Sequence, residues 1–90
     1  MNEEQILSNL RRIIIEAKAE TAVILPEQVQ MSTELLAPPL AMDSIDFVAT
    51  IIGIERVFGV IAEDEDFLTG SMRTVGDVVG VVKRILGVSP

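Results

Sequence analysis

Hydrophobic positions in this chain recur at intervals of three and four residues in three separate stretches, a spacing that predicts three helices. Over residues 3 to about 20, Ile6, Leu7, Leu10, Ile13, Ile14 and Ala17 form one stripe. Arg11, Arg12, Glu16 and Lys18 lie off it, as does Ile15, which is expected to be partly exposed. Asn2 can cap this helix, with Gln5 placed to complete a capping box, and Glu3 and Glu4 suit the positive end of the helix dipole. A second helix runs from Ser44 to about Phe58. It opens on Asp43-Ser44, both strong capping types, and stops at Gly59. A last helix covers residues 75 to about 86, with Thr74 as its cap and Asp77 in its first turn. Val75, Val78, Val79, Val82, Ile85 and Leu86 lie on one side, Lys83 and Arg84 near the end, and Gly87 follows as a stop. Its valines and glycines would suit a strand, but no hairpin turn elsewhere supplies a partner.

The second helix carries more apolar surface than one core face uses. Phe47, Ile51, Ile54 and Phe58 fall in one narrow sector, the expected core stripe. Ile45, Val48 and Ile52 fall in another, roughly a quarter to a third of a turn away. Ser44 stands near the boundary between the two, with Asp46 and Gly53 on the far side. Two readings follow. Either the whole face is buried in a central helix, or the second sector is a docking strip for partner proteins beside a reactive serine. Gly53 costs about 1 kcal/mol relative to Ala inside a helix, so it either permits a close approach or is simply tolerated.

Residues 21–42 connect the first two helices. Pro26 and Pro38-Pro39 disfavour continuous helix there, yet Val23, Ile24, Leu25, Val29, Met31, Leu35, Leu36 and Leu40 are spread along the segment. An ordered crossover packing apolar side chains into the core is expected, with a short helical turn near Thr33–Leu36. Past the second helix, Glu63-Asp64-Glu65-Asp66 reads first as a solvated acidic turn or the opening of a short helix carrying Phe67, Leu68 and Met72. Second, it reads as a contact for basic partner residues. It lacks the alternating ligands, mid-loop Gly and closing Glu of an EF-hand calcium loop. The expected fold is all-α: one domain over residues 1–90, a small three- to four-helix bundle with a long ordered loop between the first and second helices.

Composition narrows the chemistry. The absence of Cys removes disulfides, thiolate metal sites and thiol catalysis, and the absence of His removes the commonest general base and metal ligand. With three Phe as the whole aromatic complement and a net charge of −7, nucleic acid is disfavoured and partners with basic surfaces are favoured. No apolar run is long enough to span a bilayer, and the acidic N-terminal residues do not resemble a signal peptide. A cytoplasmic monomer without metal is expected.

Ser44 admits four readings. It can be a plain helix cap, the usual role of a serine in this place. It can be a hydrolase nucleophile, but Ala41 to Ile45 reads Ala-Met-Asp-Ser-Ile rather than G-x-S-x-G, and no His is present to serve as base. It can be a regulatory phosphosite, or it can tether a phosphate-linked prosthetic group. The last fits the physics well: a phosphodiester at a helix N-terminus sits where free N–H groups and the dipole favour negative charge. Catalysis then belongs to partner enzymes, which accounts for a chain with no acid/base equipment.

Asp43-Ser44-Ile45-Asp46 resembles the Asp-Ser-Leu-Asp signature of acyl carrier proteins. The resemblance extends over nearly the whole chain: its size and acidic balance, the crossover with Thr33–Leu36, the serine-led helix ending in Glu55-Arg56-Val57-Phe58-Gly59, the acidic run, and Thr74-Val75 opening the last helix. It implies a carrier and not an enzyme. Ser44 would be modified by a phosphopantetheinyl transferase, taking 4′-phosphopantetheine from coenzyme A. The thiol of that arm would then present acyl groups, as thioesters, to acyl-loading, condensing and acyl-transfer enzymes of fatty-acid, lipid or polyketide biosynthesis. By the same resemblance Ile45, Val48 and Ile52 match apolar partner contacts, and Asp43, Asp46 and Glu55 match acidic ones. The core side of the serine-led helix would line a space for the acyl chain.

The chain departs from the family pattern at Ala49 and Arg56, commonly acidic in fatty-acid carriers, and at Ala41-Met42, where Gly-Leu or a similar pair is usual. A specialised, free-standing carrier with its own cognate enzymes is the expectation. A peptidyl or aminoacyl carrier is the alternative within the family. A non-carrier acidic helical module, with Ser44 as a cap, is the alternative outside it.

Overall fold

Helices form at each of the three stretches where apolar spacing and end signals coincide: α1 (Glu3–Lys18), α2 (Ser44–Phe58) and α3 (Val75–Leu86). The computed structural model describes residues 1–62 and 72–87. The acidic run and the short helix expected after it, with Phe67 and Leu68, lie outside the described residues. Each helix begins with a reciprocal capping box, formed by Asn2 with Gln5, Asp43 with Asp46 and Thr74 with Asp77. In each, two N–H groups without helical partners are satisfied by side chains three residues apart, so the starts of all three helices are encoded within single turns. Gly59 and Gly87 end α2 and α3 at φ 66° and 71°, the left-handed conformation in which a Cβ is strained.

The core is built around α1, whose Ile6, Leu10, Ile13 and Ile14 are buried against Ile54 of α2 and Val75, Val78, Val79 and Val82 of α3. The crossover contributes Ile24, Val29, Leu35, Leu40 and Met42 to the same cluster, as an ordered segment must, while Val23, Leu25 and Leu36 remain exposed. Its short helical turn is not at Thr33–Leu36 but at Pro26–Gln28, where Pro26 presets φ and the Gln28 side chain accepts from the Leu25 N–H. The chain at 33–35 is extended instead, because it is strapped to the entry of α3. There Leu35 N–H donates to Arg73 O at 2.9 Å and Val75 N–H to Thr33 O at 2.8 Å, with an antiparallel bridge between Glu34 and Thr74.

The largest departure from the sequence expectation concerns which side of α2 faces inward. Asp46, Thr50, Gly53 and Ile54 are its buried residues, while Phe47, Ile51 and Phe58 of the expected core stripe are half-buried. Asp46 and Gly53 therefore face the core rather than the far side. α1 crosses α2 at this face, and a Cβ on Gly53 would stand 2.6 Å from Ile13 Cγ2, so the crossing needs a residue without a side chain. Thr50 satisfies its own hydroxyl by donating to Asp46 O at 2.8 Å. Lys18, expected off the buried stripe of α1, is 6% exposed, for a reason that lies at the start of α2.

Gly80 is the counter-example to Gly53. It lies exposed on α3 with nothing within 4 Å of the position its Cβ would take. Gly80→Ala is expected to raise stability by about 0.5–1 kcal/mol through backbone entropy alone, read as a higher urea midpoint at unchanged slope.

Candidate functional site

Ser44 is the first residue of α2 but not its cap. Asp43 takes that role: its Oδ1 accepts from Asp46 N–H at 2.8 Å, and Asp46 Oδ2 accepts from Asp43 N–H at 3.0 Å. The backbone follows suit, with Phe47 N–H donating to Asp43 O at 3.0 Å. Ser44 is exposed, and its hydroxyl makes no hydrogen bond among the described residues. At this first helical position the backbone N–H groups of Ser44 and Ile45 have no carbonyl inside the helix to meet. The result is an exposed hydroxyl beside donors without a partner inside the helix, at its positive end, a setting that accommodates an attached phosphodiester.

The turn leading into α2 is held from several sides. Leu40 and Met42 are buried, and Met42 N–H donates to Leu35 O at 2.9 Å. Between them Ala41 has φ 40°, a left-handed conformation unusual for a residue with a Cβ, and its N–H donates to Ala37 O at 2.9 Å.

Beneath this turn lies a buried ion pair. Lys18 Nζ, from the last turn of α1, donates to Asp46 Oδ2 at 2.9 Å, and the two side chains are 8% and 7% exposed. The same ammonium is 3.5 Å from the Ala41 carbonyl oxygen. Burial by itself would push the Asp46 carboxyl up. The Lys18 hydrogen bond, the Asp43 N–H and the Lys18 charge outweigh it and hold the group below the ordinary carboxylate range. Asp46 is therefore a correction. It was expected among the acidic partner contacts, but it is buried and its Oδ2 is committed both to Lys18 and to the Asp43 N–H of the cap, so it has no face to offer a partner.

The other candidate contacts lie where a partner can reach them. Ile45, Val48 and Ile52 are 76%, 57% and 52% exposed, which removes the reading of one wide buried face. Asp43 is exposed beside them; Glu55 is half-buried and its Oε2 accepts from Ala62 N–H at 3.1 Å, partly tying it to the chain after α2. Val57 and Ile61 are further exposed apolar residues toward the far end of α2. The sequence reading missed Ile61 because it follows the Gly59 stop, and it missed Lys18 because a lysine off the apolar stripe ordinarily faces water.

On the opposite side of α2 a cavity of about 10 Å³ lies among Phe47, Thr50, Ile51 and Ile54, closed by Leu35, Met42 and Met72. That volume is near the minimum for a single water. Among the described residues no helix is long and apolar enough to cross a membrane.

No protein-family profile matches the chain. Similarity to individual proteins is clear. The chain is 30% identical over 86 residues to an acyl carrier protein of Coprothermobacter proteolyticus, an alignment covering 96% of each chain. It is 36% identical over 86 residues to acyl carrier protein 2 of Ralstonia nicotianae, covering 96% of this chain and 98% of that one.

Proposed function

Because the chain belongs to the acyl carrier protein family, whose members are carriers and not catalysts, we propose that Ser44 is the attachment point of a covalent 4′-phosphopantetheine group and that the protein carries acyl chains on it. The observation that supports this is the division of labour at the mouth of α2. Asp43 and Asp46 cap each other, which leaves the Ser44 hydroxyl exposed and without a hydrogen bond among the described residues. In the priming step the Ser44 oxygen attacks the pantetheine-side phosphorus of coenzyme A. The new O–P bond replaces the bond to the adenosine-bearing phosphate, 3′,5′-ADP departs, and the hydroxyl proton goes to a base on the transferase. When attached, the group supplies a terminal thiol that holds the acyl chain as a thioester.

The rest of the chain orients this site. Ile45, Val48 and Ile52 form an apolar strip next to Ser44, with Asp43 beside it and Glu55 further along, suited to transferases and acyl-handling enzymes with basic surfaces. Asp46 is not among these contacts. The tight space among Phe47, Ile51 and Met72 would have to open before it took an alkyl chain. Ala49 and Arg56 leave the docking helix less acidic than in general fatty-acid carriers, which supports a carrier with its own cognate enzymes in fatty-acid, lipid or polyketide biosynthesis.

Incubation with coenzyme A and a broad-specificity phosphopantetheinyl transferase is expected to add the mass of one phosphopantetheine, and Ser44→Ala to abolish the addition. An unmodified wild-type protein would leave a non-carrier helical module with Asp43 as its cap. Specialisation has its own measurement: the primed protein, substituted for the resident carrier in a general fatty-acid synthase assay, is expected to turn over poorly, and normal turnover would argue for a general carrier.

A further inference from the structure

Lys18 is a charged side chain withdrawn from water in a protein with no catalytic use for it. An unpaired ammonium in that position would be costly, and a surface lysine would have served α1 equally well. What the burial achieves is positional. Along the chain Ser44 lies between the two residues that Lys18 Nζ reaches, Ala41 through its carbonyl at 3.5 Å and Asp46 through its carboxylate at 2.9 Å. The carboxylate oxygen that meets Lys18 also accepts the Asp43 N–H, so the cap of α2 is wired directly to α1.

We propose, building on the reading of Ser44 as the attachment site, that Lys18 is a positioning residue for its modification, holding the turn 41–46 in one geometry so that the exposed hydroxyl is presented to the transferase at a fixed place. The Ser44 hydroxyl makes no hydrogen bond among the described residues, so the side chain is placed by the backbone that carries it. That backbone includes Ala41 at φ 40°, a conformation that an alanine holds only when its surroundings enforce it. Without the ammonium, the Asp46 carboxylate would still accept from the Asp43 N–H, but the first turn of α2 would no longer be anchored to α1. The strip Ile45, Val48 and Ile52 would remain as apolar as before. Docking should therefore suffer less than the transfer step, because nucleophilic attack is far more sensitive to position than surface contact is.

The test is priming kinetics with coenzyme A and a broad-specificity transferase, comparing wild type, Lys18→Met and the double variant Lys18→Met/Asp46→Asn at a temperature where circular dichroism shows each to be folded. The double variant keeps an acceptor oxygen for the Asp43 N–H and leaves no unpaired buried charge, so it should recover stability, yet it lacks the tether from α1. A fall in kcat of about tenfold with KM changed less than about twofold is expected in the double variant as well as in Lys18→Met. Wild-type kcat in the double variant would show Lys18 to be structural only and overturn the inference. Failure of the wild-type protein itself to accept the group would overturn the reading of Ser44, and this inference with it. A primed wild type with equally fast variants overturns the inference alone.

Discussion

Lys18→Met is expected to destabilise the fold by about 3 kcal/mol at neutral pH, the low end of the cost of removing one partner from a buried ion pair. The methionine fills much of the space of the lysine stem, so lost packing is a small part of the effect. The cost arises from Asp46, left 5% exposed with a negative charge whose remaining partner outside its own helix is the Asp43 N–H. That N–H and the positive end of α2 keep the figure from rising further. Against a total of about 5–15 kcal/mol for a domain, such a loss is large and should be plain in urea unfolding at pH 7. Adding Asp46→Asn should restore most of it by removing the stranded charge, and a double variant no more stable than the single one would refute this account.

The same pair predicts a pH dependence with a definite sign. In the folded protein the Asp46 carboxyl is held below its ordinary range, since Lys18 and the Asp43 N–H outweigh the effect of burial. As pH falls, the unfolded chain takes up this proton first. The contribution is thus complete above the unfolded carboxyl value near pH 4 and is lost as pH drops through the lower folded value. Asp77 is shifted the same way by the N–H groups of Arg73 and Thr74, but wild type and variant share it, so it cancels in their difference. The gap between wild type and Lys18→Met should therefore narrow as pH falls, starting where the stranded carboxylate of the variant, raised by burial without Lys18, takes up its proton and ending where the wild-type group does. A gap undiminished at pH 3 would mean that the charge of Asp46 is not its source.

Gly53→Ala is the second large effect, and its sign opposes helix propensity. Propensity alone favours the alanine by about 1 kcal/mol. The new methyl, however, would sit 2.6 Å from Ile13 Cγ2, on a β-branched side chain that is itself buried in α1 and has essentially one rotamer in a helix. The helices must then separate or Ile13 must leave its well, which costs about 1–3 kcal/mol in a packed core, and a net loss of about 1–2 kcal/mol is expected. Gly80→Ala, the same chemical change on an open face, should go the other way. Ile13→Ala is costly alone, but in its background Gly53→Ala should become neutral or stabilising, because the clashing methyl is gone. A cycle without that coupling would show that the crossing of α1 and α2 does not depend on Gly53.

Features confined to one helical turn were decided by sequence alone. The capping pairs Asn2 with Gln5 and Thr74 with Asp77, the stops at Gly59 and Gly87, the spans of α1, α2 and α3, and the serine at the mouth of α2 all rest on neighbours within four residues, so short-range pattern suffices to read them. The tertiary structure decided what depends on residues far apart. The position of Lys18 against Asp46, 28 residues away, turned two expected surface charges into a buried pair. The crossing of α1 at Gly53 chose the inward side of α2, and the strap between 33–35 and 73–75 made an extended segment where a helical turn was expected. Hydrophobic periodicity registers large apolar side chains. It is blind to a helix face made of Gly, Thr and a neutralised Asp, because nothing local reveals that a missing side chain will admit a neighbouring helix or that a distant cation will balance a charge.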